Sequence, residues 1–100
     1  MIRIPKSDFR PGDRRKIKVN DKELLIVYLG ADRFYVADSK CPHLGCDLSK
    51  VGVVIREELV CQCHFTHFSL VDGKAIKGAT KKPIKTYKVT VEKEDIIVED

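Results

Sequence analysis

The stretch that decides the reading opens with Cys41-Pro42-His43-Leu44-Gly45-Cys46 and closes with Cys61-Gln62-Cys63-His64-Phe65-Thr66-His67-Phe68. All four cysteines and all three histidines of the 100-residue chain lie between these limits. Thiolates and imidazoles together suit zinc, an iron–sulfur cluster or copper. A zinc finger of the Cys2His2 kind places both cysteines before both histidines, whereas here each segment mixes thiols with imidazole. A single tetrahedral ion does not need so many donors. Cys41-x-His43 and Cys61-x-x-His64 read as two loops that each offer one thiolate and one imidazole, enough to hold two metals between them.

Outward from these loops the chain is written in short β segments. Lys16 to Val19 alternates polar and apolar, Asn20-Asp21-Lys22 carries turn chemistry, and Glu23 to Leu29 is rich in aliphatic and β-branched residues, which together predict a hairpin. Gly30-Ala31-Asp32 breaks the run, and Phe34 to Ala37 supplies the next strand. Val53 to Ile55 and Leu59-Val60 flank a turn at Glu57-Glu58, and Asp72-Gly73 marks a further reversal. Thr86 to Glu92 alternates strictly, with Tyr87, Val89 and Val91 on one face, and Lys93-Glu94-Asp95 turns it into Ile96 to Val98. No segment sustains a helical period. The prediction is an all-β sandwich or barrel, in which Phe34, Tyr35 and Tyr87 serve the core.

Size and charge narrow the function classes. At 11.4 kDa the chain makes one domain, 1–100, with a modest core. The longest unbroken apolar run, Leu24 to Leu29, is far below the roughly 18 to 20 residues of a membrane-spanning helix, so no membrane anchor is expected. The start, Met1 to Lys6, lacks the features of a secretory signal, which makes the cytoplasm the expected location. Nineteen basic and 15 acidic residues give a formal charge of +4, with basic residues gathered at Arg14, Arg15, Lys16, Lys18 and at Lys81, Lys82, Lys85. No recognition helix or stacking platform accompanies them, so nucleic acid is not expected and an acidic protein partner is the functional reading of the bias. Many Lys, Glu, Ile and Val, no Trp and one Met also fit a thermophile's composition.

With these motifs in view, the chain resembles the Rieske proteins, and among them the small soluble ferredoxins. The closing segment, from the neighbourhood of Gly78 and Ala79 through Pro83 and Ile84 to Thr86-Tyr87-x-Val89-x-Val91, carries the same resemblance. It implies an all-β Rieske fold: an antiparallel base from residues 1–38 and 73–100, with a cluster-binding subdomain inserted at about 39–72. It implies one [2Fe-2S] cluster per chain, with Cys41 and Cys61 on one iron and His43 and His64 on the other. In the quinol-oxidising cytochrome bc relatives, cysteines at the positions of Cys46 and Cys63 form a disulfide, and the same bond is expected here. Such a tie restrains two irregular loops.

Departures from that pattern carry their own expectations. Where bc-type members place Gly-Ser and then a Tyr two residues on, this chain has Phe65-Thr66 and then Phe68, so one hydroxyl near the cluster is kept and one is lost. Donors to sulfur favour the reduced cluster, which places the expected potential below the quinol-oxidising end of the Rieske range. Gln62 replaces a proline of the second loop. Leu44 and Phe65 flank the histidines, either shielding the cluster or forming an apolar tip, and His67 is expected to hydrogen-bond at the surface rather than ligate. Asp47, Lys40 and Lys50 are expected to be solvated. No nucleophile–base pair, phosphate loop or paired carboxylates appear, so no catalytic residue is assigned. The function implied is a monomeric one-electron carrier serving a redox protein, with its potential falling above neutral pH as the ligand imidazoles titrate. An electron-transfer subunit of an oxygenase or respiratory complex is the first alternative, and a structural zinc module the second.

Overall fold

In the computed structural model, residues 2–19, 21–42, 45–63, 65–78 and 80–99 are described. Among them the chain forms ten strands, all paired antiparallel, and two short helical turns. The first five strands are β1 (Ile2–Pro5), β2 (Arg14–Val19), β3 (Lys22–Tyr28), β4 (Phe34–Asp38) and β5 (Gly52–Ile55), all ahead of the second cysteine loop. β6 (Glu58–Cys61) leads into that loop, followed by β7 (Thr66–Ser69), β8 (Ala75–Lys77), β9 (Thr86–Val91) and β10 (Asp95–Glu99). A 3-10 turn at Lys6–Asp8 follows β1, and the helical turn α1 (Leu48–Val51) leads into β5.

Two sheets result. The base is six-stranded in the order β1-β10-β9-β4-β3-β2, so both ends of the chain meet in it, and the second sheet is the meander β5-β6-β7-β8. β3 explains how they are joined. Its central residues Leu24, Leu25, Ile26 and Val27 are at most 1% exposed, so both faces of the strand are covered. Successive side chains point to opposite faces. Leu24 and Ile26 pack with Ile4, Phe34, Ile96 and Val98 inside the base. Leu25 and Val27 pack with Leu48, Leu59 and Phe68 under the second sheet, in a core that also contains Cys41 and Cys61. Each such side chain contributes about 1.5–3 kcal/mol of burial, and here the contribution is split between two cores.

The sequence-predicted segments map onto β2, β3, β4, β5, β6, β9 and β10, with shifts of a residue or two. β2 starts at Arg14 rather than Lys16, and the β5–β6 turn is Arg56-Glu57, with Glu58 already in β6. Strands β1, β7 and β8 and the turn α1 were not anticipated; each spans three or four residues, too short for a period to register. The Asp72-Gly73 reversal lies inside the second sheet, which continues through β8 to Lys77. Asp72 accepts from the amide of Lys74 at 3.0 Å. Gly73 has φ +80 with its α-carbon against the carbonyl of Ile84, leaving no room for a β-carbon. No helix among the described residues is long and apolar enough to cross a membrane.

Candidate metal centre

The first cysteine loop hangs from the end of β4 and is closed at its neck. Lys40 and Asp47 form an isolated antiparallel bridge, the amide of Cys41 donates to the carbonyl of Cys46 at 2.9 Å, and the amide of Gly45 donates back to Cys41 at 2.8 Å. Gly45 takes φ +74 to make that return. The second loop connects β6 to β7. Cys61 and Thr66 face each other at the last ladder pair, and the amide of Gln62 is tied to the carbonyl of Val51. A disulfide joins Cys46 in the first loop to Cys63 in the second, with α-carbons 6.8 Å apart.

The disulfide sorts the donors. The sulfurs of Cys46, Cys61 and Cys63 lie within 4.8 Å of one another, but a disulfide sulfur has no thiolate to offer, so this trio is not a ligand set. Cys41 and Cys61 remain, one per loop, outside the disulfide and only 3% and 2% exposed. His43, Leu44 and His64 lie outside the described residues. The donor set left by the disulfide, two buried thiols each followed closely by a histidine, is the set a mixed Cys/His [2Fe-2S] centre uses.

Strand geometry separates His67 from that set. In the β6–β7 ladder Cys61 pairs with Thr66 and Leu59 with Phe68, while Val60 pairs with His67 and Glu58 with Ser69. Paired residues share a face, so Cys61, Thr66, Leu59 and Phe68 point one way and His67 the other. The first four are all buried, and the Nδ1 of His67 sits 3.0 Å from a carboxylate oxygen of Glu58. Thr66 is thus the hydroxyl opposite Cys61, and Phe68 packs in the core that holds both cysteines. Phe65 has φ +54 and is 68% exposed, so its ring faces solvent.

Two supports of the site escaped sequence reasoning. Asp47 is not merely solvated: it caps α1, accepting from the amide and hydroxyl of Ser49 at 3.0 and 2.6 Å, and pairs with Lys16 of β2 at 2.8 Å. The Lys16 and Ser49 hydrogen bonds lower its pKa to about 2. Asp47, a residue type preferred at helix N-caps, just ahead of Leu48-Ser49-Lys50-Val51 was the available signal. Gly78 is the other: it opens the closing segment that carries the family resemblance, but nothing in its local sequence announces that its α-carbon lies so close to the backbone of Phe65 and Thr66 that a side chain would collide there.

Comparison with known proteins decides the family. The model of the Rieske [2Fe-2S] domain matches residues 1–88. The chain belongs to the Rieske [2Fe-2S] domain family. A ferredoxin component of the naphthalene 1,2-dioxygenase/salicylate 5-hydroxylase systems of Ralstonia sp is 33% identical over 85 residues, covering 85% of this chain and 80% of that protein. The cytochrome b6-f complex iron-sulfur subunit of Chlorobaculum tepidum is 32% identical over 94 residues, covering 94% of this chain but 50% of that subunit. Among solved structures, the ferredoxin of carbazole 1,9a-dioxygenase from Nocardioides aromaticivorans IC177 superposes with a TM-score of 0.83 at 25% identity, covering 97% of this chain and 94% of that one. A Rieske domain carries an iron–sulfur cluster of the [2Fe-2S] type, so the structural zinc module is set aside.

Proposed function

We propose that this Rieske protein is a soluble, cytoplasmic, monomeric one-electron carrier holding one [2Fe-2S] cluster per chain and exchanging electrons with a redox protein partner. The observation that carries the reading is the pair of buried thiols, Cys41 and Cys61, brought from two loops that a disulfide ties together. In this reading Cys41 and Cys61 hold one iron and His43 and His64 the other. When bound, the cluster supplies a reversible one-electron couple. The chain's own residues keep its seat fixed: the loop-neck hydrogen bonds, the disulfide and the shared core resist movement, and Thr66 offers a hydroxyl beside Cys61. Residues 1–38 and 73–100 serve as scaffold, and about 39–72 as the cluster-binding part. The ferredoxin component of the Ralstonia dioxygenase systems supports an oxygenase as the partner class.

The disulfide favours a second reading, an electron-transfer subunit of a quinol-oxidising complex, alongside the similarity to the cytochrome b6-f subunit. Phe68, in place of a hydroxyl-bearing ring, favours the first. One sample tests both: electron paramagnetic resonance of the dithionite-reduced protein, with iron, zinc and sulfide quantified and the midpoint potential measured. A rhombic signal of low average g with two irons per chain and a potential toward the low end of about −150 to +300 mV is the expected result. Zinc without sulfide overturns the carrier, and a midpoint near the top of that range transfers the assignment to the quinol-oxidising class.

A further inference from the structure

At the end of the second sheet remote from Cys61, a cleft of about 590 Å³ opens between the two sheets, within the size range of small-ligand sites. Gly52 pairs with Cys61 at one end of the β5–β6 hairpin and Ile55 with Glu58 at the other, so the Arg56 turn that closes the cleft lies the hairpin's length, about 10 Å, from the cysteine loops. Three arginines line it: Arg14 from β2, Arg33 from the β3–β4 loop, and Arg56 from the β5–β6 turn. Its apolar walls include Leu29 of the base and Val53 and Val54 of β5. The carboxylate in the lining, Glu57, is engaged by the hydroxyl of Tyr35 at 2.5 Å.

Three features bear on how these arginines are held. Arg3 and Arg15 elsewhere on the surface pair with carboxylates, whereas Arg14, Arg33 and Arg56, like Arg10 outside the cleft, form no ion pair among the described residues. The Nη1 of Arg14 is buried without a hydrogen-bond partner, a state that costs free energy and is uncommon for a guanidinium nitrogen. Arg56 holds φ +56 in a two-residue hairpin turn, a conformation that favours glycine; arginine there is a local strain with a charge to show for it. Arg33, bonded to the carbonyls of Leu29 and Gly30 at 3.3 and 3.4 Å, keeps its charge uncompensated by a carboxylate.

We infer that this cleft binds a small organic oxyanion, a carboxylate or phosphate head held by Arg14 and Arg56 with its apolar body against Leu29, Val53 and Val54. Guanidinium groups suit such heads because their planar fork matches two oxygens at once. Because the walls come from both sheets, occupancy clamps the hairpin to the base and raises the melting midpoint by mass action.

The test is isothermal titration of the cluster-loaded protein with benzoate, phenyl phosphate and inorganic phosphate, against sodium chloride at matched ionic strength. Saturable one-to-one binding of benzoate or phenyl phosphate with Kd below about 1 mM is expected, and the tighter of the two identifies the head group. Arg14→Gln and Arg56→Gln should each weaken it by about tenfold or more, the effect of losing a charge-assisted hydrogen bond. Arg3→Gln, which removes the same charge from β1, should leave it within about twofold. Arg56→Gly relieves the turn, so its melting midpoint should be no lower than that of the parent protein while binding is lost. The inference is overturned by any of three results: no saturation with either organic probe, equal weakening by Arg3→Gln, or inorganic phosphate binding as tightly as phenyl phosphate.

Discussion

Replacing both disulfide cysteines, Cys46→Ala with Cys63→Ala, tests what holds the two loops together. Both are changed because either alone leaves a reactive thiol at the loops. The bond spans a sequence separation of 17, and closing a loop of that length removes about 11 cal/mol/K from the unfolded chain, or about 3 kcal/mol at 25 °C. Cys46 is half-buried and Cys63 exposed, so truncating them leaves little cavity and the loop term dominates. A chain of 100 residues unfolds with an entropy of about 210 cal/mol/K, so the melting midpoint should fall by about 15 °C. Thermal melts of oxidised, cluster-loaded parent and variant, followed by far-ultraviolet circular dichroism at one scan rate, read this directly. A fall under about 5 °C refutes the reasoning and assigns the loops' stability to the neck hydrogen bonds and the shared core.

Four further outcomes are expected. Thr66→Val, which removes the hydroxyl opposite Cys61, should lower the midpoint potential by about 40 mV, the one-electron equivalent of about 1 kcal/mol, as protein-film voltammetry can measure. His67→Ala should leave iron, sulfide and the paramagnetic resonance spectrum unchanged, since that side chain points away from Cys61, and should shift stability by about 0.5 kcal/mol at most. Asp47, with its pKa depressed to about 2, contributes stability that is present above the unfolded carboxylate value of about 3.9 and lost as pH falls through about 2; denaturant unfolding across that window should show a smaller loss in Asp47→Ala, which is itself about 1 kcal/mol less stable near neutrality. Leu24→Ala and Leu25→Ala should each cost about 2–5 kcal/mol, but only Leu25→Ala, whose side chain packs in the core of Cys41 and Cys61, should broaden the resonance signal.

The longer strands and the cysteine clusters were legible because each rests on a local rule. Residues 86–92 read as a strand from alternation, and the crowded donors between 41 and 67 announced a metal centre from composition. What escaped depends on contacts distant in sequence. β1 is a strand because Ile2 and Ile4 lie beside Val98 and Ile96 of β10, almost a whole chain away. β7 alternates Thr66 and Phe68 inward with His67 and Ser69 outward, yet its four residues belong to a donor-rich segment whose chemistry masks the pattern. The pairing of Asp47 with Lys16 follows from α1 and β2 meeting in space; a run of basic residues at 14–18 gives no hint of which one is paired. The alternation of β9 was read correctly, but its burial fades along the strand, from a buried Tyr87 to Val91 at 38% exposure, because its pairing with β4 covers only its first residues.

The two-sided burial of β3 bears on function as much as on fold. A carrier that passes single electrons loses speed whenever its centre must rearrange between redox states, so a fixed seat is worth more to it than a flexible one. Loops cannot supply that fixity alone, since their backbone makes few regular hydrogen bonds. Here the first loop is anchored by Cys41 and by Leu48 of α1, the second by Cys61 and Phe68, and all four side chains belong to one core with Leu25 and Val27 of the base. The base strand therefore acts as the common wall against which both loops are set, and the disulfide ties the neck of the first loop to the second. Close packing transmits strain rather than absorbing it, so the six-stranded sheet, though it contributes no ligand in this assignment, sets how rigidly the two cysteines are held relative to each other.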